Sequence, residues 1–265
     1  MDRVDVDGLR IAYERAGHGP PVALATGFVG DARSTWAHQI DALSADFTVL
    51  AWDAPGSGRS SDPPESFRVA DFADCWASFL EALGFPRAHL VGLSFGGILA
   101  LSLMERRPEL PLSLTLVGAY AGWRGSLSDA DVDDRLATCL RVSELPPQEF
   151  ARAMLPSMFS AAADESAVEG FAAGVRRVSP AGFRTMATAA ADADLRHMLG
   201  EVSVPTLVVC GNQDVRAPLH VAERLHEAIP SSRLVVIPGV GHVSPVEAPA
   251  EVSRAIGDFL RSVGP

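Results

Sequence analysis

Apolar positions along this chain change period from one stretch to the next. Val4–Val6 and Leu9–Glu14 alternate and flank Asp7-Gly8, which predicts a β-hairpin. Short, nearly continuous apolar runs follow at Pro21–Ala25, Thr48–Trp52, Ala88–Val91, Leu112–Val117, Thr206–Cys210 and Arg233–Ile237. Runs of this length and character predict strands, that at Thr48–Trp52 buried. Between them, helical spacing marks Trp36–Leu43, Val69–Leu83, Ile98–Met104, Pro218–Ala228 and Glu247–Arg261, with Gly84 and Pro86 closing the second. Strands alternating with helices predict an α/β fold with a mostly parallel central sheet flanked by helices. In such sheets ligands bind beyond the carboxyl ends of the strands, so the loops after strands carry the chemistry.

The pattern breaks between Gly122 and Leu199. No strand-like run occurs there, and short helical stretches are interrupted at Pro146-Pro147, Pro156 and Pro180. This predicts a helical cap over residues 122–199, inserted after the sixth strand into a core made of residues 1–121 and 200–265.

Composition narrows the function. The 265 residues are 48% hydrophobic, ample for a large core. No apolar stretch is long enough to span a membrane and the charged start lacks a secretory h-region, so the expected location is cytoplasmic and the expected partner is not a membrane. Three widely spaced cysteines, Cys75, Cys139 and Cys210, give neither a disulfide framework nor a zinc motif. The seven histidines lack metal-ligand spacing, and six of them read as surface or helix residues; no metal or other cofactor is expected. A net charge of −11 argues against nucleic acid as a partner. The chain contains no lysine, which excludes Schiff-base and P-loop lysine chemistry.

One loop stands out. Gly92-Leu93-Ser94-Phe95-Gly96 lies between a predicted strand and a predicted helix, the setting of a nucleophile elbow. A serine there needs a base and an acid to orient that base. Two later strand-end loops supply candidates: Asp214 in Gly211-Asn212-Gln213-Asp214, and His242 in Gly239-Val240-Gly241-His242. Asp53, at another strand end, is expected to organise the turn Pro55–Ser60, with Arg59 bracing it.

With these motifs in order, the chain resembles the α/β-hydrolase fold superfamily, in its small esterase- or lactonase-like serine hydrolase form. The resemblance spans nearly the full length and rests on Thr26-Gly27-Phe28, Asp53–Ser60, the elbow, Gly211…Asp214…Pro218 and Gly241-His242. It implies Ser94 as nucleophile, His242 as base, Asp214 as the orienting acid, and the backbone N–H groups of Phe28 and Phe95 as an oxyanion hole. Relatives usually carry His-Gly where this chain has Thr26-Gly27; enol-lactone hydrolases tend to lack that histidine, so the departure favours a lactone substrate. Serine at the elbow separates the chain from the dehalogenases and epoxide hydrolases of the superfamily, which use aspartate.

The expected reaction is hydrolysis of a small, largely apolar carboxylic ester through an acyl-serine. Lactonase, enol-lactonase and carbon–carbon bond hydrolase readings use the same triad. A ligand-binding receptor and a non-hydrolytic perhydrolase or lyase are the rivals from other classes. Thr26, Trp123, Met158 and Phe159 are expected to line the substrate pocket. Arg124, Arg176 and Arg177 are candidates for a substrate carboxylate, against the commoner fate of solvated arginines. Monomer and homodimer remain equally open.

Overall fold

The computed structural model describes residues 1–264. Its strands are β1 (Asp2–Val6), β2 (Leu9–Ala16), β3 (Pro21–Ala25), β4 (Thr48–Trp52), β5 (Ala88–Leu93), β6 (Pro111–Val117), β7 (Thr206–Gly211) and β8 (Ser232–Ile237). They form one sheet in the order β1-β2-β4-β3-β5-β6-β7-β8. The β1–β2 and β2–β4 pairings are antiparallel. All pairings from β4 to β8 are parallel, with Leu24 of β3 opposite Val91 of β5 and Leu93 of β5 opposite Val117 of β6.

The helices are α1 (Ala32–Leu43), α2 (Val69–Ala82), α3 (Phe95–Arg106), α4 (Asp129–Val142), α5 (Pro147–Met154), α6 (Glu165–Val175), α7 (Pro180–Asp192), α8 (Leu219–Ala228), α9 (Ser244–Glu247) and α10 (Pro249–Val263). α2 packs on α3, and α1 on α10. They cover the sheet, so the central strands β3, β4, β5 and β7 are almost wholly buried, which is why their sequences read as unbroken apolar runs. Trp52 of β4 and Trp76 of α2 stack nearly parallel, with ring centres 5.7 Å apart.

Helices α4 to α7 occupy the interval between β6 and β7. Two of the prolines expected to break helices there begin them instead: Pro147 and Pro180 stand in the first turns of α5 and α7. Proline fits that position because its missing N–H would have had no intrahelical partner and its fixed φ suits a helix. The helix expected over Glu247–Arg261 is α10, begun two residues later, and Glu247 instead ends the short α9. They part at Ala248 (φ −130°, ψ 62°), because the ring of Pro249 disfavours helical angles in the residue before it. Among the described residues, no helix is long and apolar enough to cross a membrane.

Candidate active site

The loops after β5, β7 and β8 deliver Ser94, Asp214 and His242. Ser94 sits between β5 and α3 with φ +53° and ψ −110°, a conformation outside the ordinary regions for a residue with a side chain. Strain of this kind costs on the order of 1–3 kcal/mol and persists where surroundings enforce it. Here they do. The Ser94 N–H donates to the Val117 carbonyl at 2.8 Å. A Cβ on Gly92 would lie 2.2 Å from the Gly96 carbonyl carbon, and one on Gly96 would lie 2.4 Å from the Ala25 carbonyl oxygen. Only glycine lets the strand, the turn and the neighbouring β3 approach this closely. The Ser94 side chain caps none of the N–H groups of α3.

Asp214 and His242 are buried, each with about 5% or less of its surface exposed. His242 Nδ1 donates to Asp214 Oδ2 at 2.7 Å. An ionised carboxylate only accepts, so Nδ1 holds the proton and Nε2 is left as the acceptor. The other carboxylate oxygen, Oδ1, accepts the N–H groups of Arg216 and Ala217, each at 2.8 Å. The acid is therefore locked by its own loop and cannot rotate away from the imidazole. Gly118, following β6, closes on this pair: its φ is +49°, and a Cβ there would stand 3.2 Å from both Asp214 Oδ2 and His242 Nδ1.

Ser94 and His242 wall one small cavity together with Gly27, Phe28, Val29, Leu93, Met158, Phe171, Arg216 and Val243. Its volume is about 10 Å³, room for about one water. Phe95 is the first residue of α3, so its N–H has no intrahelical partner. Among the described residues, no protein acceptor is taken by the N–H of Phe28 either. More voluminous hollows lie elsewhere, such as one of about 370 Å³ beside Arg124, Arg196 and Arg224, and none of them includes Ser94, Asp214 or His242.

Of the four residues expected to line the pocket, Met158 does. Trp123 stands behind it, edge-on to the Phe28 ring at 5.8 Å, and Phe159 packs against Phe171 at 5.6 Å. Thr26 is buried with its hydroxyl donating to the Gly27 carbonyl at 3.0 Å, so it braces its own loop outside the cavity lining. The three arginines considered for a substrate carboxylate pair with the protein itself: Arg124 with Asp129 and Asp133, Arg176 with Glu169, and Arg177 with Asp31. The cavity holds a different arginine, Arg216, which the sequence reading missed although it lies two residues after Asp214. Phe171 lines the cavity as well, and nothing local to α6 says which of its faces meets Ser94.

Other titratable groups serve the fold. Asp53 Oδ1 accepts the Ala32 N–H at 2.8 Å and Oδ2 the backbone N–H of Arg59 at 3.0 Å. Arg59 thus braces the turn by its backbone, while its guanidinium reaches Met1. Burial raises the Asp53 carboxyl to about 6, against the pull of those two N–H groups. His89 is no surface or helix residue: it is a buried β5 side chain bonded to Ser113 Oγ, and burial pushes it down to about 4. Cys210 is buried in β7 with its thiol raised to about 11 by burial. Among the described residues, no cluster of histidine, cysteine and carboxylate groups has the arrangement of a metal site.

The chain is similar to known proteins along nearly its whole length. The family model described as the alpha/beta hydrolase family matches residues 16–255. A thermophilic esterase from Thermogutta terrifontis, solved with malate bound, superposes with a TM-score of 0.91 at 29% identity, covering 99% of each chain. The enol-lactonase from Burkholderia xenovorans LB400 gives a TM-score of 0.90 at 25% identity over 98% of this chain and 100% of its own. A hydrolase from Pseudomonas aeruginosa PA01 is 31% identical over 97% of each chain, with a TM-score of 0.87.

Proposed function

The chain belongs to the alpha/beta hydrolase family, and on that footing we propose that it is a serine hydrolase that cleaves a small carboxylic ester through an acyl-serine intermediate. The observation that carries this reading is the buried His242–Asp214 pair beside the strained, uncapped Ser94.

Ser94 Oγ attacks the ester carbonyl carbon while His242 Nε2 takes the hydroxyl proton. The carbonyl oxygen becomes an oxyanion, received by the N–H groups of Phe28 and Phe95 and favoured by the N-terminus of α3. Collapse expels the alcohol, which leaves with the proton from His242. Water then gives a proton to the same Nε2 and attacks the acyl carbon. The acid departs and Ser94 regains its hydrogen. Asp214 keeps the imidazole in the tautomer that accepts at Nε2 and stabilises the imidazolium between steps.

Residues 122–199 act as a cap on a core of residues 1–121 and 200–265. Met158 and Phe171 bring it onto the cavity, and a space for about one water requires the cap to move before an ester enters. Apolar lining suits a short acyl chain. A lactone, which is a cyclic ester, is the second reading; the likeness to the enol-lactonase and the presence of Thr26 favour it.

The test is turnover of p-nitrophenyl esters from acetate to octanoate by the wild-type protein and Ser94→Ala. Turnover that vanishes in Ser94→Ala supports the reading. Full activity in that variant defeats it.

A further inference from the structure

Arg216 is the charged side chain facing the cavity of Ser94 and His242, and the protein does not neutralise it. Its Nη1 donates to the Ser157 hydroxyl at 2.9 Å, a neutral partner. The guanidinium lies over the Phe28 ring, 5.7 Å from its centre. Among the described residues no carboxylate comes within 4 Å of it, whereas Arg124, Arg176 and Arg177 all have one. The nearest acid in sequence, Asp214, is engaged through both oxygens with His242 and with two backbone N–H groups. A half-buried cation without a counter-charge gives up part of its hydration unrepaid, so its place beside Ser94 suits an anionic partner that the protein does not supply.

The backbone carrying Arg216 is held from three sides. Its N–H is bound by Asp214, and its carbonyl accepts from the Tyr120 hydroxyl and from Arg135 Nη2. Tyr120 and Arg135 are themselves hydrogen-bonded at 2.9 Å. A guanidinium on so fixed a stem presents a planar fork at a set place beside the nucleophile, the arrangement that recognises a carboxylate in bidentate fashion. Burial lowers the Arg216 pKa, with neighbouring Arg135 adding to the effect and Tyr120, Cys139 and Asp214 opposing it; a guanidinium stays charged through such shifts.

We propose that Arg216 binds an ionised carboxylate on the substrate, so that the preferred substrates are esters or lactones carrying a second, free carboxylate. This rests on the serine-hydrolase reading of the same site and adds the chemical class of its substrate. The remaining lining, with Phe28, Val29, Met158 and Phe171, holds the short apolar span between the two polar ends.

The experiment uses two matched pairs, with hydrolysis followed in a pH-stat: monomethyl glutarate against methyl pentanoate, and 3-acetoxybenzoate against phenyl acetate. The first pair places the charge on the acyl side and the second on the leaving group. Wild type, Arg216→Met and Arg216→Lys are compared as ratios of kcat/KM, anionic over neutral. In wild type, at least one anionic ester should exceed its neutral partner by about tenfold or more, the scale of a site built around a charged hydrogen bond. Arg216→Met should abolish that preference and Arg216→Lys should restore part of it. A merely structural arginine would lower both members of a pair in parallel and leave the ratio where it was. Equal or reversed preference in wild type, or an unchanged ratio in Arg216→Met, overturns the proposal while leaving ester hydrolysis standing. If wild type hydrolyses none of the four, the hydrolase reading is in question and calorimetric binding of glutarate decides this one. Binding that Arg216→Met loses supports carboxylate recognition, and absence of binding to wild type overturns it.

Discussion

At the scale of single residues, the site depends on side chains that are absent as much as on those present. Gly118 illustrates this. A methyl group there would press on both the Asp214 carboxylate and the His242 imidazole, and its φ of +49° is already unfavourable for other residues. Gly118→Ala is expected to lower kcat by about tenfold or more by displacing the pair, with KM less affected and stability reduced by about 1 kcal/mol or more. Steady-state kinetics beside chemical denaturation checks this; an unchanged kcat would show that the pair tolerates the intrusion. Asp53 gives a second case. Its carboxyl is raised to about 6 by burial, so the folded state holds the proton more tightly than the unfolded chain does. Its contribution to stability is therefore fully present below about pH 4 and is lost as pH rises through about 6. Relative to Asp53→Asn, wild type should gain stability as pH falls across that window. A stability difference that stays flat with pH contradicts the assignment.

The sequence already exposed the residues whose neighbours announce them. Ser94 is flanked by glycines whose spacing only a tight turn explains, and His242 and Asp214 follow apolar runs at strand ends. Arg216 and Phe171 carry no such local mark. Their proximity to Ser94 depends on how the loop after β7 and helix α6 fold back over the sheet, a long-range fact that no window of sequence contains.

At the scale of elements, the proposed cap meets the core through an ion pair. Arg177, just beyond α6, pairs with Asp31, which also caps α1 through the Ser34 N–H at 2.7 Å. Burial works against the charged Asp31, but Arg177 and the Ser34 N–H and hydroxyl outweigh it and hold the carboxyl below its ordinary value. The stability from this latch is thus present above the ordinary carboxylate pKa and is lost as pH falls through the lowered one. Arg177→Met should destabilise the protein by up to about 1 kcal/mol at pH 7, because the arginine is half exposed and the pair is screened. The difference from wild type should shrink toward pH 3. An effect that does not change with pH would assign the loss to packing instead of charge.

Met158, on the same cap, should set the size of the bound acyl group. Met158→Ala leaves space beside Ser94, so kcat/KM for octanoate relative to acetate esters should rise several-fold. The same truncation should cost about 2–5 kcal/mol of stability, which makes a thermal melt a necessary companion. A chain-length profile identical to that of wild type would remove Met158 from the pocket. The cap was also where sequence reading lost resolution. Prolines that look like breaks proved to be helix starts, since the residue type is the same and only the preceding turn tells the two apart.

At the scale of the whole molecule, the central strands were legible because burial on both faces leaves no choice but continuous apolar runs. Every expected strand is present, and the antiparallel start followed by parallel pairing accords with a hairpin and then strand–helix alternation. The strand order, with β4 between β2 and β3, was not legible, because crossing connections leave no trace in periodicity. Neither was the near-closure of the site, which arises only when Met158 and Phe171 settle onto the sheet's loops. These features together give an acidic molecule with a small, mostly apolar cavity on which a serine, a histidine and an arginine meet.

The most direct test of the central claim is covalent. Incubation with a small alkyl fluorophosphonate, followed by intact-mass and peptide mass spectrometry, reads which hydroxyl the protein activates. A single phosphonyl adduct on Ser94, formed much more slowly in His242→Ala, is the result expected. No adduct on Ser94 in wild type, or the same rate of labelling without His242, would contradict the account.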